Sequence, residues 1–216
     1  MQSTIEKILK EKLIVIVRGV EREALIPLAE ALYSGGVRLI ECTYDAKGET
    51  KDEETADRIK MLCEHFGDRM EIGAGTVLTE KQVKLTRAAG GKFIISPDTN
   101  EAVIKRTKRE GLVSIPGALT PTEAVCAHRA GADFVKLFPA GRMGADYIKD
   151  LAAPLSHIRF LAVGGVDDDN MLEYLKSGAL GIGVASAIVD KNAIAAGKWE
   201  SITAKALKYT EKLSLL

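Results

Sequence analysis

The 216-residue chain is short of several things that would each have suggested a function. It has three cysteines, Cys42, Cys63 and Cys126, an odd number without CxxC spacing. That argues against a disulfide framework and against a zinc site. It has three histidines, His65, His128 and His157, all expected on helices or loops away from the ends of strands. Lysine plus arginine number 30 and aspartate plus glutamate number 30, so no charge excess points to nucleic acid or to an anionic membrane. A local basic pocket remains compatible with that balance. No apolar run is long enough to span a membrane, and the opening MQSTIEKILKEKL has no apolar core of a signal peptide. A soluble protein of the reducing cytoplasm is the expectation. Low-complexity segments and proline- or serine-rich linkers are also missing, so residues 1–216 read as one domain.

What the chain does have is a rhythm. Eight β-branched apolar runs alternate with longer amphipathic stretches. The runs are Leu13–Val17, Val37–Thr43, Met70–Gly73, Lys92–Ser96, Leu112–Pro116, Asp133–Phe138, Ile158–Val163 and Leu180–Val184. Helical patterns lie between them at Glu21–Ser34, Thr79–Ala89, Thr120–Ala130 and Asp167–Ser177. Thr79 and the TPTE run at Thr120 carry start signals, and Gly90 and Gly178 carry stop signals. Alternation at this period means βαβ units and a parallel sheet. Eight repeats in roughly 200 to 250 residues predict a (β/α)8 TIM barrel, with an open doubly wound sheet as the alternative. Gln2–Lys12 reads as an extra N-terminal helix over the barrel bottom, and the tail from about Gly197 as a closing helix.

Barrel chemistry sits at the C-terminal ends of strands. The strand ends here supply Arg18, Glu41, Thr43, Thr76, Ser96-Pro97, Pro116-Gly117, Lys136, Phe138, Gly164-Gly165, Gly183 and Ser186. Lys136 is the most informative, because it lies between Val135 and Leu137 in an apolar strand and shares a face with Phe134 and Phe138. Desolvation lowers a lysine pKa, and a neutral amine attacks a carbonyl carbon. Glu41, on the face of Val37, Leu39 and Thr43, is a carboxylate suited to shuttling protons. A purely structural Lys136–Glu41 salt bridge is the competing interpretation. Gly164-Gly165, ahead of a helix expected near Asp167, suits an anion, as does Ser186 after the last strand. Asp167–Asp169 reads as a capping run rather than a metal site. Cys42 is expected to be packed away from Glu41, and Trp199 and Tyr209 to serve packing or subunit contact.

In order, IVIVRG, GGVRLIECT, IGAGTV, FIISPD, IPGALTPTE, VKLFPA, VGGV and GVAS run from Leu13 to about Val189. The series resembles the 2-keto-3-deoxy-6-phosphogluconate (KDPG) / 4-hydroxy-2-ketoglutarate (KHG) aldolase family. The resemblance implies a metal-free class I aldolase, usually a homotrimer, with no cofactor beyond a covalent Schiff base between substrate and lysine. It puts the Schiff-base lysine at Lys136 and the general acid/base at Glu41. It puts substrate-binding residues at Arg18, Thr43, Thr76, Pro97, Phe138, Gly164, Gly165 and Ser186. The partners implied are a small 2-keto acid and pyruvate, with glyceraldehyde 3-phosphate or glyoxylate as the second product. A phosphogalactonate-type or non-phosphorylated substrate stays open, as do a non-imine phosphate-binding isomerase and a catalytically silent metabolite-binding barrel. One position departs from the gluconate branch: Asp45 stands where that branch commonly has an arginine, and an aspartate facing the substrate carboxylate would repel it.

Overall fold

The computed structural model describes residues 1–216. Helix α1 (Gln2–Glu11) leads into β1 (Leu13–Val17), α2 (Arg22–Ser34), β2 (Leu39–Thr43), α3 (Asp52–Phe66), β3 (Glu71–Gly75), α4 (Glu80–Ala88) and β4 (Phe93–Ile95). The chain continues through α5 (Glu101–Arg109), β5 (Val113–Ile115), β6 (Gly117–Ala118), α6 (Pro121–Ala130), β7 (Val135–Leu137), α7 (Ala140–Met143), α8 (Ala145–Ala152) and β8 (Phe160–Val163). It ends with α9 (Met171–Lys176), β9 (Gly181–Val184), α10 (Lys191–Ala195) and α11 (Trp199–Leu213). No helix is long and apolar enough to cross a membrane.

All strands pair in parallel, in the order β5-β4-β3-β2-β1-β9-β8-β7-β6. The two ends of that order are neighbours in the chain, separated by Pro116 alone. Strands β5 and β6 are therefore one barrel position broken in two, β5 pairing with β4 and β6 with β7. Proline has no N–H for a ladder, which explains the break. Its carbonyl still accepts from the Lys136 N–H at 2.8 Å. Eight barrel positions thus carry nine strand segments, and the run expected as unbroken over Leu112–Pro116 ends one residue early and resumes at Gly117.

Two apolar cores result. Inside the barrel, Ile14, Leu39, Phe93, Ile95, Val113, Ile115, Phe134 and Leu161 meet Ile5 and Ile8 of α1, so the leading helix closes the N-terminal end as its pattern suggested. Outside, a larger core fills the space between strands and helices. Local chemistry fixes the helix starts: Thr79 with Gln82, and Thr120 with Glu123, form reciprocal capping boxes. The expected start near Asp167 is corrected. Helix α9 begins at Met171, because the Asp167 carboxylate accepts from the N–H groups of Asp169 (3.0 Å) and Asn170 (3.1 Å), holding these residues in a turn. The capping run thus shapes the turn ahead of the helix. Tyr209 is buried, as expected of a packing residue.

Candidate active site

Strand alternation puts Leu39 and Glu41 on the same inward face of β2, and Phe134 and Lys136 on that of β7. On both strands the lower residue is part of the apolar plug and the upper one is ionisable. Glu41 is 1% exposed and Lys136 5%. Burial pushes the Glu41 carboxyl above the ordinary glutamate range, against the opposing pull of the Lys136 and Arg18 charges. Burial likewise pushes the Lys136 ammonium below the ordinary lysine range; Glu41 acts to raise it and Arg18 to lower it further. The two side chains feel each other's charge but form no ion pair or hydrogen bond, and Glu41 Oε1 has no hydrogen-bond partner at all. The Lys136 Nζ sits 4.8 Å from the centre of the Phe138 ring. A buried amine biased towards neutrality thus faces a buried carboxyl biased towards protonation, with polar groups unspent between them.

Two glycines of β3 make room beside this pair, one for Phe93 and one for Glu41. A Cβ on Gly73 would lie 2.3 Å from the Phe93 ring, and a Cβ on Gly75 would lie 1.7 Å from Glu41 Oε1. Their role went unnoticed in the sequence, although GAG on a strand is the signal for a face where a neighbouring group approaches the backbone closely. Thr76 follows with φ +55°, uncommon for a side chain other than glycine, and its Oγ1 accepts from Arg18 Nη2 at 3.3 Å. Thr43 is in register with Gly75, at the same rim. Pro97 is placed more indirectly: its carbonyl lies against Gly117, which is in register with Lys136.

The far side of the rim is built from Gly164 and Gly165, with φ +85° and +77°. A Cβ on Gly164 would come within 2.9 Å of the Phe138 ring, and one on Gly165 within 2.9 Å of Gly141, so close packing as well as backbone shape requires glycine. The Gly141 N–H donates to the Gly164 carbonyl at 2.7 Å. By contrast, the N–H groups of Gly164, Gly165 and Val166, and those of Ser186 and Ala187, donate to no acceptor within the protein. Ser186 is exposed and lines an open cavity together with Arg18. Unspent backbone donors thus lie on two adjacent loops beside an arginine, an arrangement chemically suited to an anion.

Asp45 turns its carboxylate onto its own loop. Its carboxylate accepts from the N–H groups of Lys47 (2.9 Å), Glu49 (2.8 Å) and Thr50 (2.9 Å), organising its own loop, and these bonds hold its carboxyl below the usual range. Cys42 is buried on the opposite face from Glu41, and burial raises its thiol to about 12. His65 lies on α3 and His128 on α6; His157 precedes β8 and stacks edge-on against His128. All three are away from the rim.

A family model described as KDPG and KHG aldolase matches residues 5–205. The chain belongs to the KDPG and KHG aldolase family. It is an aldolase, a carbon–carbon lyase. Among its relatives are the 2-dehydro-3-deoxy-6-phosphogalactonate aldolase of Escherichia coli, 34% identical over 82% of this chain and 84% of that protein, and the 2-dehydro-3-deoxy-phosphogluconate aldolase of Treponema pallidum, 34% identical over 93% of each. A solved structure of KDPG aldolase from Legionella pneumophila, with pyruvate captured at low pH as a covalent carbinolamine intermediate, superposes with a TM-score of 0.85 at 28% identity, covering 96% of this chain and 98% of that one.

Proposed function

We propose that this aldolase works through a Schiff base on Lys136, cleaving a 2-keto-3-deoxy-6-phospho-sugar acid to pyruvate and glyceraldehyde 3-phosphate. The observation that carries the reading is the buried pair itself: Lys136 without a counter-ion, facing Glu41 with an oxygen free. A structural salt bridge would have spent both groups on each other. Pyruvate bound covalently in the Legionella relative, and the phosphorylated keto-acid substrates named for the E. coli and Treponema relatives, support the same reading.

The neutral Lys136 amine adds to the C2 ketone, giving a carbinolamine. Glu41 supplies the proton with which water departs and the iminium forms. As a carboxylate, Glu41 then takes the C4 hydroxyl proton while the C3–C4 bond breaks. The bonding pair flows into the iminium, giving an enamine and releasing the aldehyde. Protonation at C3 and hydrolysis by water return pyruvate and free Lys136. The iminium is the electron sink, so the cycle calls for no metal or other cofactor. A raised Glu41 pKa suits a group that both gives and takes protons near neutral pH.

Arg18, Thr76 and Thr43 hold the pyruvyl carboxylate end. Phe138 and Pro97 wall the reacting carbons, and Gly164, Gly165 and Ser186 receive the phosphate through their free donors. Because Asp45 is committed to its own loop, a gluconate- or galactonate-configured substrate both fit this reading. Borohydride reduction with pyruvate, followed by peptide mass mapping, tests it. A reduced pyruvyl adduct on Lys136 is expected; labelling elsewhere, or no labelling, overturns the reading.

A further inference from the structure

Thr76 is out of step with the strand that leads into it. On β3, Gly73 and Gly75 face the barrel interior, and Ala74 lies in the outer core between strands and helices. Strict alternation would send the next side chain, Thr76, outward beside Ala74. Instead the backbone turns left-handed at Thr76, with φ +55°, and its Oγ1 meets Arg18 Nη2 at 3.3 Å at the mouth of the barrel. Only two residues other than glycine have a positive φ. Lys12 is the other, and it ends helix α1, where that conformation is common. Thr76 ends a strand and carries a β-branched side chain, for which the left-handed region is costly. Costs of this kind persist only where the surroundings hold the residue in place, and they gather at active sites.

The hold comes from the residue after it. Val77 is buried in the outer core, and its N–H donates to the Ile95 carbonyl at 3.2 Å. Its carbonyl accepts from Ser96 Oγ at 2.7 Å. Two consecutive residues at the end of β4 thus grip both backbone polar groups of Val77. Ser96 is 3% exposed, and its own N–H already donates to the Ile115 carbonyl at 3.2 Å, so the hydroxyl is the donor left for Val77. On the other side of Thr76, the Gly75 carbonyl accepts from the Tyr44 N–H at 2.8 Å. With the peptides before and after it pinned, Thr76 cannot relax to an extended conformation unless one of these bonds opens. The bonds from Tyr44 and to Ile95 are backbone bonds that any side chain would allow; the bond from Ser96 needs a hydroxyl. We infer that Ser96 is a positioning residue, whose hydroxyl holds the left-handed turn that re-aims Thr76 from the helix layer to the carboxylate end of the substrate. The inference rests on the Schiff-base reading above, in which Thr76 meets that carboxylate, and adds to it the residue that sets the direction of Thr76.

The test follows borohydride reduction at Lys136, read by peptide mass mapping, as the concentration of a carbonyl compound is varied below the melting transition. Two compounds are compared. Pyruvate carries the carboxylate that Thr76 receives, and acetaldehyde forms an imine without one. In Ser96→Ala the half-saturating pyruvate concentration should rise by roughly threefold to tenfold, the range that one hydrogen bond between neutral groups is worth. The value for acetaldehyde should stay at the wild-type level, which a general disturbance of the lysine site would not allow. Ser96→Cys fills the same space with a weaker donor. It should fall between wild type and Ser96→Ala, and it carries the test if Ser96→Ala does not fold. In a Thr76→Val background there is no hydroxyl left to aim, so Ser96→Ala should add little. An unchanged pyruvate value, an equal rise for acetaldehyde, or losses that add in full with Thr76→Val overturn the inference while leaving the Schiff base standing. Wild type that forms no pyruvyl adduct on Lys136 overturns the underlying reading instead.

Discussion

The two ends of the barrel interior are made by the same strands to opposite specifications. At the N-terminal end, Leu39, Phe93 and Phe134 pack with Ile5 and Ile8 into an apolar plug. Two residues further along β2 and β7, the inward positions are Glu41 and Lys136, and on β3 they are glycines. The lower half buries apolar surface and so stabilises the fold. The upper half buries charge without pairing it, which destabilises the fold and keeps two ionisable groups reactive. Active-site residues are retained despite that cost because chemistry needs them unsatisfied until substrate arrives. Substitutions at the upper end should therefore lower activity while raising stability, and those at the lower end should lower stability alone.

Lys136→Met should show the largest effect. Turnover is expected to fall on the order of 10⁴-fold or more, as when a covalent nucleophile is lost. Stability should rise at the same time, by about 1–3 kcal/mol, because a desolvated ammonium is replaced by an apolar chain of similar length. The sign with pH follows from the depressed Lys136 pKa. Below that depressed value both folded and unfolded chains carry the charge, and the wild type bears the whole burial penalty. Above the ordinary lysine range neither carries it. The variant's advantage should thus be full below the depressed value, shrink as pH rises through it and vanish above the ordinary lysine range. Chemical denaturation across that range checks it. A variant less stable than wild type at neutral pH would mean that Lys136 is a structural partner after all.

Ile8→Ala is the counterpart at the other end. Ile8 is 1% exposed and packs inside the plug. Its truncation should cost about 2–5 kcal/mol, with turnover below the melting transition at the wild-type level. Thermal melting paired with kinetics at low temperature separates the two. A loss of turnover in the still-folded variant would show that the plug positions the catalytic pair rather than merely holding the barrel shut.

The sequence made the upper half legible where a residue contradicts its surroundings. Lysine inside VKL and glutamate inside LIECT stand out because charge in a buried strand demands a reason. The capping boxes at Thr79 and Thr120 could be read because their chemistry is local, complete within four residues. What depends on three-dimensional direction could not be. Asp45 sits at a rim position, yet its carboxylate turns back onto three N–H groups of its own loop, and no spacing rule gives that rotation. The resumption of the strand after Pro116 was hidden because Gly117 and Ala118 are poor strand formers.

Gly75 is where that hidden geometry is most open to test. A methyl group added there would meet Glu41 Oε1 at 1.7 Å and its Cδ at 2.3 Å, so the carboxylate must move. Misplacing a catalytic group by about an ångström costs about 10²-fold in rate, so Gly75→Ala should lower kcat by about that factor. A general packing defect would give the same number, so the decisive measurement is a double-mutant cycle with Glu41→Gln. If Gly75 acts by leaving room for the carboxylate, Gly75→Ala should cost far less in the Glu41→Gln background than in wild type, because the group it displaces has already lost its function. The pH dependence of kcat gives a second check. Displacing Glu41 from its fully buried place restores solvent to it, so its raised pKa should move back towards the ordinary glutamate range in the single variant. Fully additive losses with an unmoved pH profile would mean that β3 is narrow for Phe93 and the barrel wall alone, and that the emptiness beside Glu41 has no part in catalysis.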